Sequence, residues 1–181
     1  MATQDIENRL RAIEDKIEIN ELLMRYALGL DTADPELYAS VFTEDAYLNV
    51  AGIAYEGHQT IKDMIAAIRN TVTTQGRKPD PHGYIFGAVR HVNTNIIMNI
   101  HGDTAEVESY SVEIASSGRN EKGQGLPQRI INFCRYQDDL VRQNGKWLIK
   151  KRLIIGDLYG KLPELDMNFY PHTAGPSEIS P

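Results

Sequence analysis

Histidine is the residue type in this sequence with the widest chemical use near neutral pH, and five histidines are spread along the chain. An imidazole can bind a metal ion or exchange a proton in this pH range. No two of the histidines have the short spacing of a metal-binding pair. Four of them fall in predicted turns, loops or the C-terminal tail: His58, His82, His101 and His172. The fifth, His91, begins a predicted strand, and we predict no metal site.

Other motifs that would indicate a particular reaction are missing from the sequence. It contains no Gly-rich phosphate loop and no nucleophile elbow. The single cysteine, Cys134, cannot form an intrachain disulfide or a Cys-rich metal site. We therefore expect no nucleotide, flavin or metal cofactor.

The strand that carries His91 gives two readings of where the imidazole points. Strict alternation places His91 on one side with Asn93, Asn95 and Asn99, opposite an apolar set of Val92, Ile96, Met98 and Ile100. Taken alone, this pattern directs His91 to water. Either the asparagines line a polar part of a cavity, or a β-bulge changes the face along the strand.

Apolar spacings of three and four residues predict one long helix over 5–30, which ends near Asp31. An Asp just past a helix end is usually a solvated or loop-bonding residue, because the helix dipole disfavours a carboxylate there. The first part of the helix repeats in steps of 4, 3 and 4 through Ile6, Leu10, Ile13 and Ile17. This repeat suits packing on another helix, in a second subunit, and a solvated helix on its own domain fits equally well.

Two shorter helices and a small hairpin follow. Asp34 and Pro35 suit the N-cap and first position of a second helix, over 36–42. A hairpin is predicted over 47–55 and a third helix over 60–73.

Four long strands fill the rest of the domain, over 90–100, 105–116, 128–142 and 146–159. Asn144-Gly145 is the strongest hairpin signal. The order predicts an α+β fold, in which a curved, cone-shaped, mixed or antiparallel sheet carries three N-terminal helices on its concave side around an apolar pocket. We predict one domain over 1–160 and a Pro-rich tail over 161–181 that forms a lid or a subunit contact.

A set of short motifs appears in a definite order. The set contains Arg25-Tyr26-Ala27 with Asp31, Val41-Phe42-Thr43-Glu44-Asp45, Arg90-His91 with Asn95, Gly102-Asp103-Thr104-Ala105, and Arg135-Tyr136-Gln137-Asp138 before Gly145-Lys146-Trp147. Together they resemble the nuclear-transport-factor-2-like superfamily, whose fold is a cystatin-like α+β barrel, in its SnoaL-like branch of polyketide cyclases and dehydratases. That branch includes scytalone dehydratase, bile acid 7α-dehydratase and hexachlorocyclohexane dehydrochlorinase.

The resemblance implies a catalytic site inside the cone. It gives His91 the role of the base and Asp31 the role of the carboxylate that orients this base. It gives Tyr26 the role of a proton donor. Tyr26 also lies on the apolar stripe of the first helix, so a core role fits it at least as well. A tyrosine of scytalone dehydratase is replaced by Val50, which makes scytalone a poor guess for the substrate.

Three residues are predicted to contact the substrate by the same resemblance: Val50, Asn95 and Arg152. An arginine late in the final strand recurs in the family, but Arg152 stands several residues earlier. A simple exposed strand cation is the alternative for it.

The implied activity is that of a cofactor-independent lyase, which eliminates water or another group from a hydrophobic ring compound such as a hydroxy-steroid, an aromatic or a polyketide-like molecule. An isomerase or aldol cyclase would use the same proton transfers. A non-catalytic alternative is a ligand-binding module or the small subunit of a ring-hydroxylating dioxygenase.

Composition fits a small apolar partner better than a polyanionic one. The 181 residues carry a net charge of −6, and no run of Lys or Arg exceeds Lys150-Lys151-Arg152. We therefore expect no nucleic-acid or membrane partner. The polar N-terminus lacks the apolar stretch of a secretory signal, so we expect a cytoplasmic protein, and the resemblance implies a homodimer or homotrimer.

Overall fold

A computed structural model describes residues 2–74, 89–116 and 128–156. The predicted loops over 76–87 and 118–127, and the predicted tail over 161–181, lie outside the described residues. His82 and His172 lie outside them as well.

Three helices precede or interrupt the first strands: α1 (Ala2–Asp31), α2 (Pro35–Ala39) and α3 (His58–Thr74). The predicted cap of α2 is confirmed, since the Asp34 carboxylate accepts hydrogen bonds from the backbone N–H groups of Glu36 and Leu37. The predicted end of this helix at residue 42 is wrong. The helix stops at Ala39, because Phe42 already pairs with the last strand of the sheet.

Six strands form one curled sheet that does not close: β1 (Phe42–Val50), β2 (Ile53–Glu56), β3 (Val89–His101), β4 (Thr104–Ser116), β5 (Gln128–Gln143) and β6 (Lys146–Gly156). Their order is β2-β1-β6-β5-β4-β3. The strands β1 and β6 run parallel, and every other neighbouring pair is antiparallel. The predicted α+β class with a mixed sheet is confirmed, and the β1–β6 pairing joins the early hairpin to the four long strands.

Local turn chemistry fixes the hairpin between β5 and β6. Asn144 has φ 51° and Gly145 has φ 77°. Consecutive left-handed residues make the two-residue turn whose twist matches that of the flanking strands. The predicted Asn-Gly hairpin is confirmed.

The core lies between the helices and the concave side of the sheet. α1 contributes Ile19, Leu22, Leu23 and Tyr26, all at most 1% exposed, and α3 contributes Ile61 and Ile65. α1 and α2 approach closely at Gly29, where an added Cβ would lie 2.7 Å from the backbone N of Tyr38. A side chain at this position would therefore push the two helices apart.

A bulge in β3 decides which side chains enter the interior. Asn95 has φ 53°, and the register with β4 shifts between Thr94 and Ile97. His91 and Asn93 face inward before the bulge, whereas the half-buried Ile96, Met98 and Ile100 pack against the core after it. The reading in which His91 faces water is therefore wrong, and the bulge alternative is observed.

No helix in the described parts of the chain is both long and apolar enough to cross a membrane.

Candidate active site

Asp31 and His91 meet at the junction of α1 and β3. The distance from His91 Nδ1 to Asp31 Oδ1 is 2.7 Å, and the two side chains are 8% and 11% exposed. In the neutral tautomer that carries its proton on Nδ1, the imidazole donates this hydrogen bond to the carboxylate, and its lone pair is on Nε2. The structure thus forms the hydrogen-bonded pair that the resemblance implied.

The backbone of β3 also helps to hold Asp31 in place. Asp31 is the last residue of α1, where the helix dipole disfavours a negative charge. The backbone N–H of His91 donates to both carboxylate oxygens, at 3.1 and 3.4 Å. The Arg90 guanidinium donates to the Asp31 carbonyl at 3.4 Å. These donors offset the unfavourable end of the helix and fix the carboxylate against the imidazole.

A second carboxylate lies on the other side of the imidazole. Glu113 Oε1 is 3.8 Å from His91 Nε2, and it accepts hydrogen bonds from Cys134 Sγ at 3.1 Å and from Asn132 Nδ2 at 3.3 Å. These residues adjoin because His91 pairs with Glu113 across β3 and β4, and Glu113 with Asn132 across β4 and β5. The imidazole therefore lies between two carboxylates.

Sequence reasoning missed Glu113, Asn132 and Cys134 as site residues. A signal was present in the alternation of β4, where Ala105 and Val107 are buried and Glu113 has the same parity. Glu113 therefore lies on the inner face of the sheet by its parity, but its pairing with His91 depends on a register that the sequence does not show.

A different charged pair lies deeper along the same interior. Arg152 donates from Nε and Nη2 to the two oxygens of Asp138, each at 2.6 Å, and both side chains are 0% exposed. Desolvation opposes the charge, but the Asp138 carboxylate outweighs it and raises the pKa of Arg152. The alternative of an exposed strand cation is therefore wrong. The predicted substrate contact of Arg152 stays a prediction, and the contacts observed for it are internal.

Tyr26 belongs to this deeper region. Its ring lies 3.8 Å below the Arg152 guanidinium carbon, and its hydroxyl oxygen accepts a hydrogen bond from the Tyr38 hydroxyl at 3.0 Å. Burial raises the pKa of Tyr26, and burial raises that of Tyr38 and Tyr136 further. Tyr26 therefore keeps its proton near neutral pH, in a core position.

Polar residues connect the two regions along the inner face of the sheet. Ser109 and Ser111 of β4 are buried and lie between Glu113 and the aromatic cluster around Tyr136. At about 3.3 Å per residue, the step from Glu113 to Ser109 spans roughly 13 Å. The interior thus passes from a polar end at His91 to a sealed end at Arg152.

The two other predicted substrate contacts lie at the margins. Val50, at the end of β1, is half-buried and packs against the core. Asn95 is exposed at the bulge, and its side-chain oxygen accepts from the Thr94 hydroxyl at 3.1 Å. The observed role of Asn95 is to turn the strand, and substrate contact by either residue stays a prediction.

The described ranges 2–74, 89–116 and 128–156 contain no cluster of potential metal ligands. Within them, no three His, Cys, Asp or Glu side chains are grouped so that they could hold an ion.

Several solved structures share this architecture. A protein of unknown function from Mycobacterium tuberculosis is 25% identical, with a TM-score of 0.63 over 84% of this chain and 75% of that one. An NTF2-like protein with a cystatin-like fold from Novosphingobium aromaticivorans is 21% identical, with a TM-score of 0.66 over 84% and 88%. A protein described as a putative scytalone dehydratase from the same organism is 22% identical, with a TM-score of 0.61 over 83% and 91%.

The family assignment rests on a match to most of the domain. A search of curated proteins gave no match. The family model of the SnoaL-like domain matches residues 11–153, which include both Asp31 and His91. The chain therefore belongs to the SnoaL-like domain family.

Proposed function

We propose that the protein is a cofactor-independent lyase, in which His91 is the base and Asp31 orients it. The observation that carries the proposal is the 2.7 Å contact between His91 Nδ1 and Asp31 Oδ1 at a nearly buried position. Membership of a family that processes small molecules supports it, as does the likeness to a protein described as a putative scytalone dehydratase.

The proposed reaction begins with proton removal beside an activating carbonyl. His91 Nε2 takes a proton from carbon, a C=C bond forms from the C–H electron pair, and the C–O bond to the leaving hydroxyl breaks. The hydroxyl leaves as water after it gains a proton. The resulting imidazolium would lie between Asp31 and Glu113, whose charges stabilise it.

Tyr26 is the proposed donor of the second proton. A tyrosine hydroxyl carries its proton near neutral pH, and the Tyr26 oxygen already accepts a hydrogen bond from Tyr38, so that its own O–H can donate. Tyr26 is 0% exposed. We therefore expect a smaller loss of activity for Tyr26→Phe than for any change at His91.

The proposed substrate class follows from the mixture of groups in the interior. The interior has a polar end at Asp31 and His91 and an apolar core that half-buried side chains of β1 and β3 adjoin, which suits a mainly hydrophobic ring compound with one or two oxygens. Hydroxy-steroids, hydroxylated aromatics and polyketide-like ketones fit this description. Val50, Asn95 and Arg152 are proposed contacts for such a compound.

A panel of these three compound classes tests the proposal. Elimination products should form with the wild type and fall on the order of 10²- to 10⁴-fold with His91→Gln. His101→Gln is the matched control, because His101 lies exposed at the other end of the same strand. Unchanged turnover in the His91→Gln variant would contradict the mechanism. Tight binding without turnover would favour the ligand-binding alternative, and rearranged or cyclised products would favour the isomerase or cyclase.

A further inference from the structure

α1 has a second apolar face that the described parts of its own domain, residues 2–74, 89–116 and 128–156, leave exposed. Every residue from Thr3 to Glu14 is exposed. Five large apolar side chains of α1 are each more than half exposed: Ile6, Leu10, Ile13, Ile17 and Met24. At 100° per residue they lie on roughly the opposite side of the helix from the buried Ile19, Leu22 and Tyr26. We call these five residues the outer stripe.

A helix with this arrangement is poorly supported by its own domain. Isolated helices of about 12 residues are marginal in water, because most helical stability in proteins comes from packing of an apolar face. Within the part of the chain that the structure describes, the first three turns reach the turn between β3 and β4 through the exposed Arg11–Asp103 ion pair at 3.0 Å. The outer stripe therefore needs a partner to account for an ordered helix that begins at Ala2.

The outer stripe follows a heptad repeat, which identifies the kind of partner. Leu10, Ile17 and Met24 fall seven residues apart at position a, and Ile6 and Ile13 fall at position d. Such a repeat packs on a helix with the same repeat. Ile13 and Ile17 also border a groove with Ile96 and Met98 of β3, which extends the apolar surface beyond the helix.

The flanking charges select a second copy in parallel orientation. Position e carries Glu7, Glu14 and Glu21, and position g carries Arg9 and Lys16, all of them exposed. Among the residues that the structure describes, none of these five forms an ion pair.

Parallel and antiparallel pairing place these charges differently. In a parallel pair, position g faces position e one heptad further on, so that Arg9 of one copy faces Glu14 of the other and Lys16 faces Glu21. In an antiparallel pair, glutamates would face glutamates and cations would face cations, which is repulsive.

We propose that copies of this chain self-associate through a parallel coiled coil of their α1 helices, formed by the outer stripe. The charge variants that test it are on the surface and leave the folded domain intact. Arg9→Glu with Lys16→Glu should weaken self-association on the order of tenfold, as measured by sedimentation or light scattering of the full chain. Adding Glu14→Lys and Glu21→Lys should restore it, because the pairs are then reversed.

Cross-linking gives an independent readout of orientation. Leu10→Cys should form an intermolecular disulfide under mild oxidation, because position a meets its own equivalent only in a parallel pair. Asn8→Cys is the matched control, since Asn8 is exposed on the other side of the helix. A dimeric or trimeric mass together with the Leu10→Cys cross-link supports the proposal. A monomeric wild type, or an oligomer that neither the charge variants nor Leu10→Cys affects, would overturn it.

Discussion

Two hydrogen-bonded pairs, each with one carboxylate, share the interior of this sheet, and they differ in how far water can reach them. The Arg152–Asp138 pair is 0% exposed on both sides and joined by two hydrogen bonds of 2.6 Å. The Asp31–His91 pair is 8% to 11% exposed and uses an imidazole in place of a guanidinium. A guanidinium stays charged at any physiological pH, whereas an imidazole gains and loses a proton. The sealed pair therefore suits structure, and the accessible pair suits proton transfer.

The largest expected effect is on the sealed pair. Arg152→Met should lower the free energy of unfolding by about 3–5 kcal/mol, because it leaves the Asp138 charge buried without its partner. Urea unfolding followed by circular dichroism measures the change.

The double variant Arg152→Met with Asp138→Leu should recover most of this loss, since two apolar side chains then replace the buried pair. Lys151→Met is the matched control, because its ion pair with Asp139 is exposed and should change stability by about 0.5 kcal/mol or less. An Arg152→Met protein as stable as the wild type would contradict a structural role.

The accessible pair should show the opposite pattern. Asp31→Asn keeps the shape of the side chain but removes the charge that orients and stabilises the imidazole, so we expect kcat to fall on the order of 10²- to 10³-fold. The free energy of unfolding, measured in urea, should fall by only about 1 kcal/mol. A variant that loses stability without losing kcat would place Asp31 with the sealed pair instead.

The bulge gives a smaller and more specific test. Asn95→Val should destabilise the fold by about 1–2 kcal/mol, because a β-branched residue disfavours the observed φ of 53°. Asn95→Gly is the control and should be nearly neutral in stability. If kcat falls in the valine variant more than in the glycine variant, the face change of β3 matters to His91 as well as to folding.

The smallest effect at neutral pH concerns the buried tyrosines. Burial raises the pKa of Tyr26, Tyr38 and Tyr136 above the ordinary 10.0, so their neutral form is favoured in the folded state. Their contribution to stability is full below pH 10 and is lost as the pH rises through the folded values. Alkaline titration by phenolate absorbance should show these three of the nine tyrosines ionising only as the protein unfolds. Early ionisation of all nine would contradict their burial.

Local chemistry explains the parts of the fold that the sequence predicts correctly. The cap at Asp34 and the turn at Asn144-Gly145 depend on neighbouring residues alone, and both are observed. The bulge at Asn95 remained one of two alternatives, because an asparagine tolerates a positive φ without requiring it. Burial of Arg152 depends on Asp138 across the β5–β6 register, which is not visible in the spacing of either residue.

The site itself divides in the same way. Asp31 and His91 were identified through a family resemblance, whereas alternation alone gave the wrong face for His91. Glu113 was missed because it becomes a site residue only when β3, β4 and β5 are aligned. Residues that act through cross-strand neighbours are therefore the ones that single-strand patterns leave out.

Because of the bulge in β3, the number of residues in this strand decides which side chains face the interior. Before the bulge the inward-facing residues have odd numbers, as His91 does. After it they have even numbers, as Ile96, Met98 and Ile100 do, because the bulge adds one residue to β3. Removing one residue near position 95 would leave every side chain type in place, yet it would turn either the imidazole or the apolar lining outward. In this strand, the deletion or insertion of one residue would disrupt the interior more than most substitutions do.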